Sequence, residues 1–314
     1  MSTASSAAAR RSQTIGIVLI LVWVALASSK DVYLGHLVQG IDPILMLVAC
    51  IALTVGFFNV TQVPDLASYS RAMKVSLGDV IWLNLFTAVA WASFFAALRF
   101  LEAAVAESFI VAVDPLATIF FARALRRESP VSGSELAASW AMLVAAAFLG
   151  VSVWYGQSSV GVLSASDATF GIVCVLVCGV ANGGITVVSK RLADQGMTAS
   201  QVMASRFFLL LVGCLVFVVA RAPDLTALLD NLGGVLLITT FGMITPMFVL
   251  QKAIERTEPI TIVLVGSIVP VVAFAFQQLD TRLQFSWPSF IGVAAIAVIV
   301  TWGAYRGLHA RESA

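Results

Sequence analysis

Charge is what this chain has least of. Asp, Glu, Lys and Arg make up 11% of its 314 residues, against about a quarter in soluble domains. A chain that is 60% hydrophobic with mean hydropathy +0.99 cannot cover itself with a water-facing surface, so it reads as a membrane protein. The net charge is +1 and no basic tail is present, which argues against a nucleic-acid partner. Histidine is nearly absent: His36 and His309 fall at predicted helix ends on opposite sides of the membrane. The four cysteines (Cys50, Cys174, Cys178, Cys214) lie inside apolar runs. Cys174 and Cys178 are one helical turn apart, but no His or second Cys pair completes a metal set. They read as packing residues, and no metal or cofactor is expected. No H-x-x-x-D, G-x-S-x-G or paired-aspartate motif occurs, so the sequence does not read as an enzyme. Long polar loops are missing too, and any chemistry must lie within the bilayer.

What is present is a series of apolar segments. A spanning helix needs about 20 mostly apolar residues. Ten segments meet that length: 14–37, 43–61, 77–98, 103–124, 134–154, 168–191, 198–220, 232–253, 258–279 and 287–306. Short connections such as "PVSGSE", "ADQGMT" and "RAPD" carry the turn-formers. The first dozen residues, "MSTASSAAARRS", resemble the start of a signal peptide. The run behind them is too long and lacks an A-x-A exit, so an uncleaved first helix is expected.

Lys and Arg set the orientation. With a cytoplasmic N-terminus, thirteen fall on that side, from Arg10 and Arg11 to Arg306 and Arg311. The opposite side receives only Arg99, Arg221 and Arg282, while Lys30 and Arg206 fall inside helices. Both termini are therefore expected in the cytoplasm of a cell with the protein in its inner or plasma membrane.

The two halves also repeat. "GIVLILV" at Gly16 matches "GIVCVLV" at Gly171, and the "VDP" ending at Pro115 matches the "IVP" ending at Pro270. Both shifts are about 155 residues, and "ALRFLEA" aligns with "AIERTEP" one residue further on. Five helices per half would send the second copy through the membrane in the opposite sense. Inverted repeats are the architecture of alternating-access transporters, with a substrate site between halves near the midplane. The expected organisation is a tail at 1–13, a first repeat at 14–154, an external linker at 155–167, a second repeat at 168–306 and a tail at 307–314.

An ionisable group in mid-membrane costs a few kcal/mol and marks a functional site by default. The candidates are Lys30, Asp31, Glu107, Asp114 and Arg206. Glu107, Val111, Asp114 and Thr118 share one helical face. The repeat partners of the two acids are apolar, so the stripe reads as transport path rather than scaffold. Each candidate has a plainer alternative. Lys30 can snorkel to the headgroups, Glu107 can sit among them, Asp114 can cap a kink at Pro115, and Arg206 can be a structural partner of Asp114. Lys30 and Asp31 are read as cavity-facing near an outer gate, paired with acids such as Glu107 or with substrate. Asn84, Asn182 and Thr186 offer neutral hydrogen bonds, although the glycines around Asn182 read first as packing points. Trp91 and Tyr33, with other aromatics, can line an apolar or cation-binding cavity. Pro115 and Pro270 are the kink positions.

The five-plus-five arrangement, the tight link "FFAALRFLEAAVAESF", the stretch "DPLATIFFARALRRE" and "ASRFFLL" together resemble the drug/metabolite transporter superfamily. More narrowly they resemble its ten-helix proteins built from two EamA-type domains. The resemblance covers about residues 14–306. It implies an all-α polytopic fold with the first four helices of each half around a central cavity. It also implies peripheral fifth and tenth helices that serve dimer contacts, so the protein is expected as a monomer or homodimer. Members export amino acids, drugs and other metabolites, or move nucleotide sugars and sugar phosphates. One departure is that Cys50 occupies the repeat position equivalent to Arg206, which removes a two-arginine anion clamp. The expected function is a secondary transporter exporting a small polar or amphipathic metabolite, such as an amino acid or amine, with protons as an optional coupling partner. Drug efflux and nucleotide-sugar exchange are the alternatives within the family; a membrane enzyme or a channel is the alternative from another class.

Overall fold

The computed structural model describes residues 3–37, 41–126, 133–157, 163–279 and 284–312. Arg127 and Arg282, and parts of the expected turns and external linker, lie outside them. In chain order the helices begin with α1 (Thr3–Leu37), α2 (Pro43–Val60), α3 (Leu66–Val75), α4 (Leu77–Ala97), α5 (Ala103–Leu125) and α6 (Gly133–Trp154). The second half holds α7 (Ala165–Asp194), α8 (Ala199–Ser205), α9 (Phe208–Arg221), α10 (Thr226–Asp230) and α11 (Leu232–Leu237). A π-helical stretch, Ile238–Ile244, leads to α12 (Thr245–Arg256), α13 (Pro259–Gly266), α14 (Val269–Gln277) and α15 (Trp287–Glu312). Helix is the secondary structure throughout the described residues, as a bilayer requires of anything but a closed barrel. Among these residues eight helices are long and apolar enough to span, nine if α2 and the stretch through Val75 form one span bent by 43°. The expected tenth segment shows a shorter apolar run, Trp287–Ile299.

Three segments that read as single helices are interrupted. Segment 198–220 breaks between α8 and α9, at Arg206 and Phe207. Segment 232–253 passes through the π-helical stretch, and 258–279 breaks at Ser267 and Ile268, just before Pro270. Each interruption frees backbone groups that lipid cannot satisfy, so side chains fill in. Asn84 of α4 closes the first break: its amide donates to the Ser205 carbonyl (2.7 Å) and its oxygen accepts from the Leu209 N–H (3.1 Å). Thr245 donates to the Thr240 carbonyl at 2.8 Å beside Pro246. At the third break the Ser28 hydroxyl of α1 reaches the Val269 carbonyl at 3.2 Å. Such partners are thirty or more residues away in two of the three cases, which is why hydropathy alone shows unbroken spans.

Helix α7 is the central post, packed against both α4 and α5. Gly179 and Gly183, four residues apart, let it approach α5 at backbone distance. A Cβ at Gly183 would lie 2.7 Å from both the Ala117 Cβ and the Thr118 nitrogen. Gly183→Val should therefore cost ~1–3 kcal/mol or more by overpacking, seen as a lower Tm in detergent. Gly56→Val, where an added Cβ meets nothing within 4 Å, is the control and should leave Tm unchanged.

Candidate functional site

A central cavity of about 970 Å³, its open mouth included, lies between the halves. Its walls come from α1, α4 and α5 of the first half and from α7, α12, α13 and α14 of the second, with Arg206 at the α8–α9 break. Lys30, Asp31, Glu107, Asp114, Asn182 and Thr186 all line it, together with Trp23, Trp91 and Phe94. The acidic stripe on α5 thus faces the cavity, as its spacing implied.

Lys30 and Asp31 are buried, with side chains 8% and 2% exposed, and form an ion pair with each other. Side chains at adjacent helical positions start about 100° apart, yet the long lysine stem folds back far enough to meet its neighbour. The stem packs against Gly242 of the π-helical stretch, where a side chain would collide with it. The ammonium also lies 5.3 Å from the Trp91 ring centre and 5.5 Å from that of Phe94, inside cation–π range. Glu107 of α5 lines the same cavity. One cation and two acids therefore line the cavity, and the ion pair seen among the described residues is Lys30 with Asp31.

Asp114 is about two turns further along α5 than Glu107. It accepts a hydrogen bond from the Thr118 hydroxyl at 3.1 Å and carries no ion pair among the described residues. Pro115 follows it within the helix and leaves the Val111 carbonyl without its usual N–H partner. The expected pair with Arg206 is not formed. Arg206, 3% exposed, donates through Nε to the Thr87 hydroxyl at 3.3 Å and lies over the Phe207 ring. One guanidinium nitrogen, Nη1, is buried with no hydrogen-bond partner among the described residues. A buried, charged donor on a cavity wall is costly unless something binds it. The indole N–H of Trp23, on the same cavity, is likewise unpartnered.

Asn182 and Thr186 stand on the α7 wall, the Thr186 hydroxyl donating to the Asn182 carbonyl at 3.1 Å. Asn84 is absorbed by the helix break and is not on the cavity. Tyr33 is 38% exposed on the outside of the bundle. Pro270 opens α14 after its break. Trp23, one of the aromatics of the first helix that can line such a cavity, stands two turns before Lys30 on the same face of α1, and that i, i+7 spacing is the signal for it.

The two ends of the bundle differ in how they are tied. At the end where α5 and α7 finish, Arg126 pairs with Asp194 (2.9 Å) and Glu258 (3.0 Å), and Arg191 pairs with Asp79 (3.1 Å). At the other end Glu102, 3% exposed, precedes α5 and accepts from Ser289 of α15 and from Gln277 of α14 (3.4 Å). Glu102 and Glu258 each stand at the N-cap position of their helix and are 156 residues apart, the repeat shift of that stretch.

The family model described as the EamA-like transporter family matches residues 169–302. No curated protein matches the chain. Among solved structures, one titled only as a crystal structure of a protein is 16% identical, covers 96% of this chain and 98% of its own, and superposes with a TM-score of 0.65. That likeness concerns the fold alone.

Proposed function

From the premise that residues 169–302 are an EamA-like transporter domain and the chain a multi-pass membrane transporter, we propose that it carries a small zwitterionic metabolite of the amino-acid class. The carrying observation is the cavity's pairing of an unpartnered guanidinium nitrogen on Arg206 with the Asp114 carboxyl, which carries no ion pair. A carboxylate would satisfy Arg206. An ammonium would meet Asp114, with Trp23, Trp91 and Phe94 receiving the apolar remainder. With one arginine and no second in the cavity, a diphosphate has no clamp.

The thirteen-to-three split of Lys and Arg supports cytoplasmic termini, and export is the direction we assign. Alternating access is supported by the mirrored placement of Glu102 and Glu258 at opposite ends of the α5 and α13–α14 contact. Opening either end would break one set of ties and keep the other. At the Arg126 end the partners Asp194 and Glu258 are about half exposed, so those pairs contribute at most about 1 kcal/mol each and are weak enough to exchange during a transport cycle.

Reconstituted protein should show saturable counterflow with trans-stimulation. Amino acids should compete best, while decarboxylated amines and amine-free acids should compete at least tenfold less well. Counterflow driven by nucleotide sugars alone would overturn the assignment. Flux without saturation or trans-stimulation would make the protein a channel instead.

A further inference from the structure

A second concavity has no role in the reading above. It lies between α2, α4 and α9, encloses about 1350 Å³ with its open side included, and shares no residue with the central cavity. Its floor on α4 is a ladder of small side chains, Ala88, Ala92 and Ala96, spaced four residues apart on one helical face. Opposite stands Gly213 of α9, where an added Cβ would meet nothing within 4 Å. Leu47, Phe95 and Leu210 complete an apolar trough.

Two arginines close one end. Arg99 follows α4 and Arg221 ends α9, so both helices deliver a guanidinium to the same mouth. Both side chains are exposed and carry no ion pair among the described residues. Arg221 rests over the Phe217 ring at 4.8 Å. Asp42 is at this mouth as well, but its carboxylate accepts the Ile44 and Leu45 N–H groups at 2.9 and 3.1 Å.

The dimensions match one leaflet. Ala88 to Arg99 along α4, and Leu209 to Arg221 along α9, each run about 16–18 Å at 1.5 Å per residue. Half a hydrocarbon core is about 15 Å. The charge is also out of place by the usual bias. Arg99 and Arg221 are two of only three basic residues that the charge count puts on the non-cytoplasmic side.

We propose that this groove is a binding site for a single membrane glycerophospholipid. One acyl chain lies along the alanine ladder and the phosphate is held by Arg99 and Arg221. The groove does not depend on what the central cavity carries. Guanidinium recognises phosphate by charge-assisted, bidentate hydrogen bonds, and basic pockets between spanning helices are a known form of headgroup site.

The test uses the full-length protein in detergent. It reads phospholipid retained after washing and the change in Tm when phosphatidylglycerol, a diacylglycerol of the same chains, or inorganic phosphate is added back. The wild-type protein should retain about one phospholipid per chain and be stabilised by phosphatidylglycerol alone. Arg99→Gln with Arg221→Gln should cut retention at least tenfold and abolish the Tm response. Gly213→Phe keeps both arginines and sends its ring into open space, so it should fold and lose the lipid too. Unchanged retention in either variant overturns the proposal. Equal stabilisation by diacylglycerol overturns the arginine contact, and equal stabilisation by inorganic phosphate alone overturns the lipid.

Discussion

Lys30→Met should reduce transport at least a hundredfold and also destabilise the protein. Lys30 is the cation of a buried group in which Asp31 is its ion-pair partner, on a cavity that Glu107 also lines. Removing one partner of a buried pair leaves the other charge uncompensated, at a cost of about 3–5 kcal/mol. Removing both is far cheaper, because an uncharged pair of similar shape needs no counter-ion. Lys30→Met combined with Asp31→Asn should therefore recover most of the Tm lost by the single variant. It should not recover transport if the pair acts on substrate or on access to the cavity. Thermal unfolding in detergent together with counterflow separates the two roles. Recovery of both by the double variant would make the pair structural. A normal Tm and normal flux in Lys30→Met alone would mean that the lysine only reaches toward the headgroups.

The placement of this group shows how far the sequence could be followed. The i, i+4, i+7 spacing of Glu107, Val111 and Asp114 is a property of one helix, and all three line the cavity. The Lys30–Asp31 contact was harder to see, since Cβ directions place neighbours apart and say nothing about a four-carbon stem bending over Trp91. The partner of Arg206 depended on three other elements. A break at its own position, closed by Asn84, turns the guanidinium toward Thr87 of α4 and leaves Asp114 to Thr118. Hydropathy also could not show the π-helical stretch or the Ser267–Ile268 break. Interrupted helices remain apolar throughout, and at two of the three interruptions the backbone partner lies more than a hundred residues away in sequence. The glycines of "GVANGG" were legible as packing points because close helix approach needs small residues whatever the partner.

Asp114→Asn should abolish accumulation driven by a proton gradient while leaving exchange intact. Asn keeps the shape of the side chain and an oxygen to accept from the Thr118 hydroxyl, so α5 has no reason to rearrange. What it loses is the ability to gain and release a proton inside the cavity. If one proton moves with each substrate, a gradient of one pH unit supplies about 1.4 kcal/mol, or tenfold accumulation, and two units about a hundredfold. The wild-type protein in proteoliposomes should approach those ratios, and Asp114→Asn should stay near unity at every imposed gradient. Counterflow, which needs no net proton movement, should proceed in both. Glu107→Gln provides the contrast. Its carboxyl lines the same cavity as the Lys30–Asp31 pair, so the change should alter affinity or access more than the accumulation ratio. If Asp114→Asn accumulates substrate as the wild type does, the carboxyl belongs to the helix turn before Pro115. A wild-type protein that itself shows no accumulation at any imposed gradient is instead a facilitative carrier.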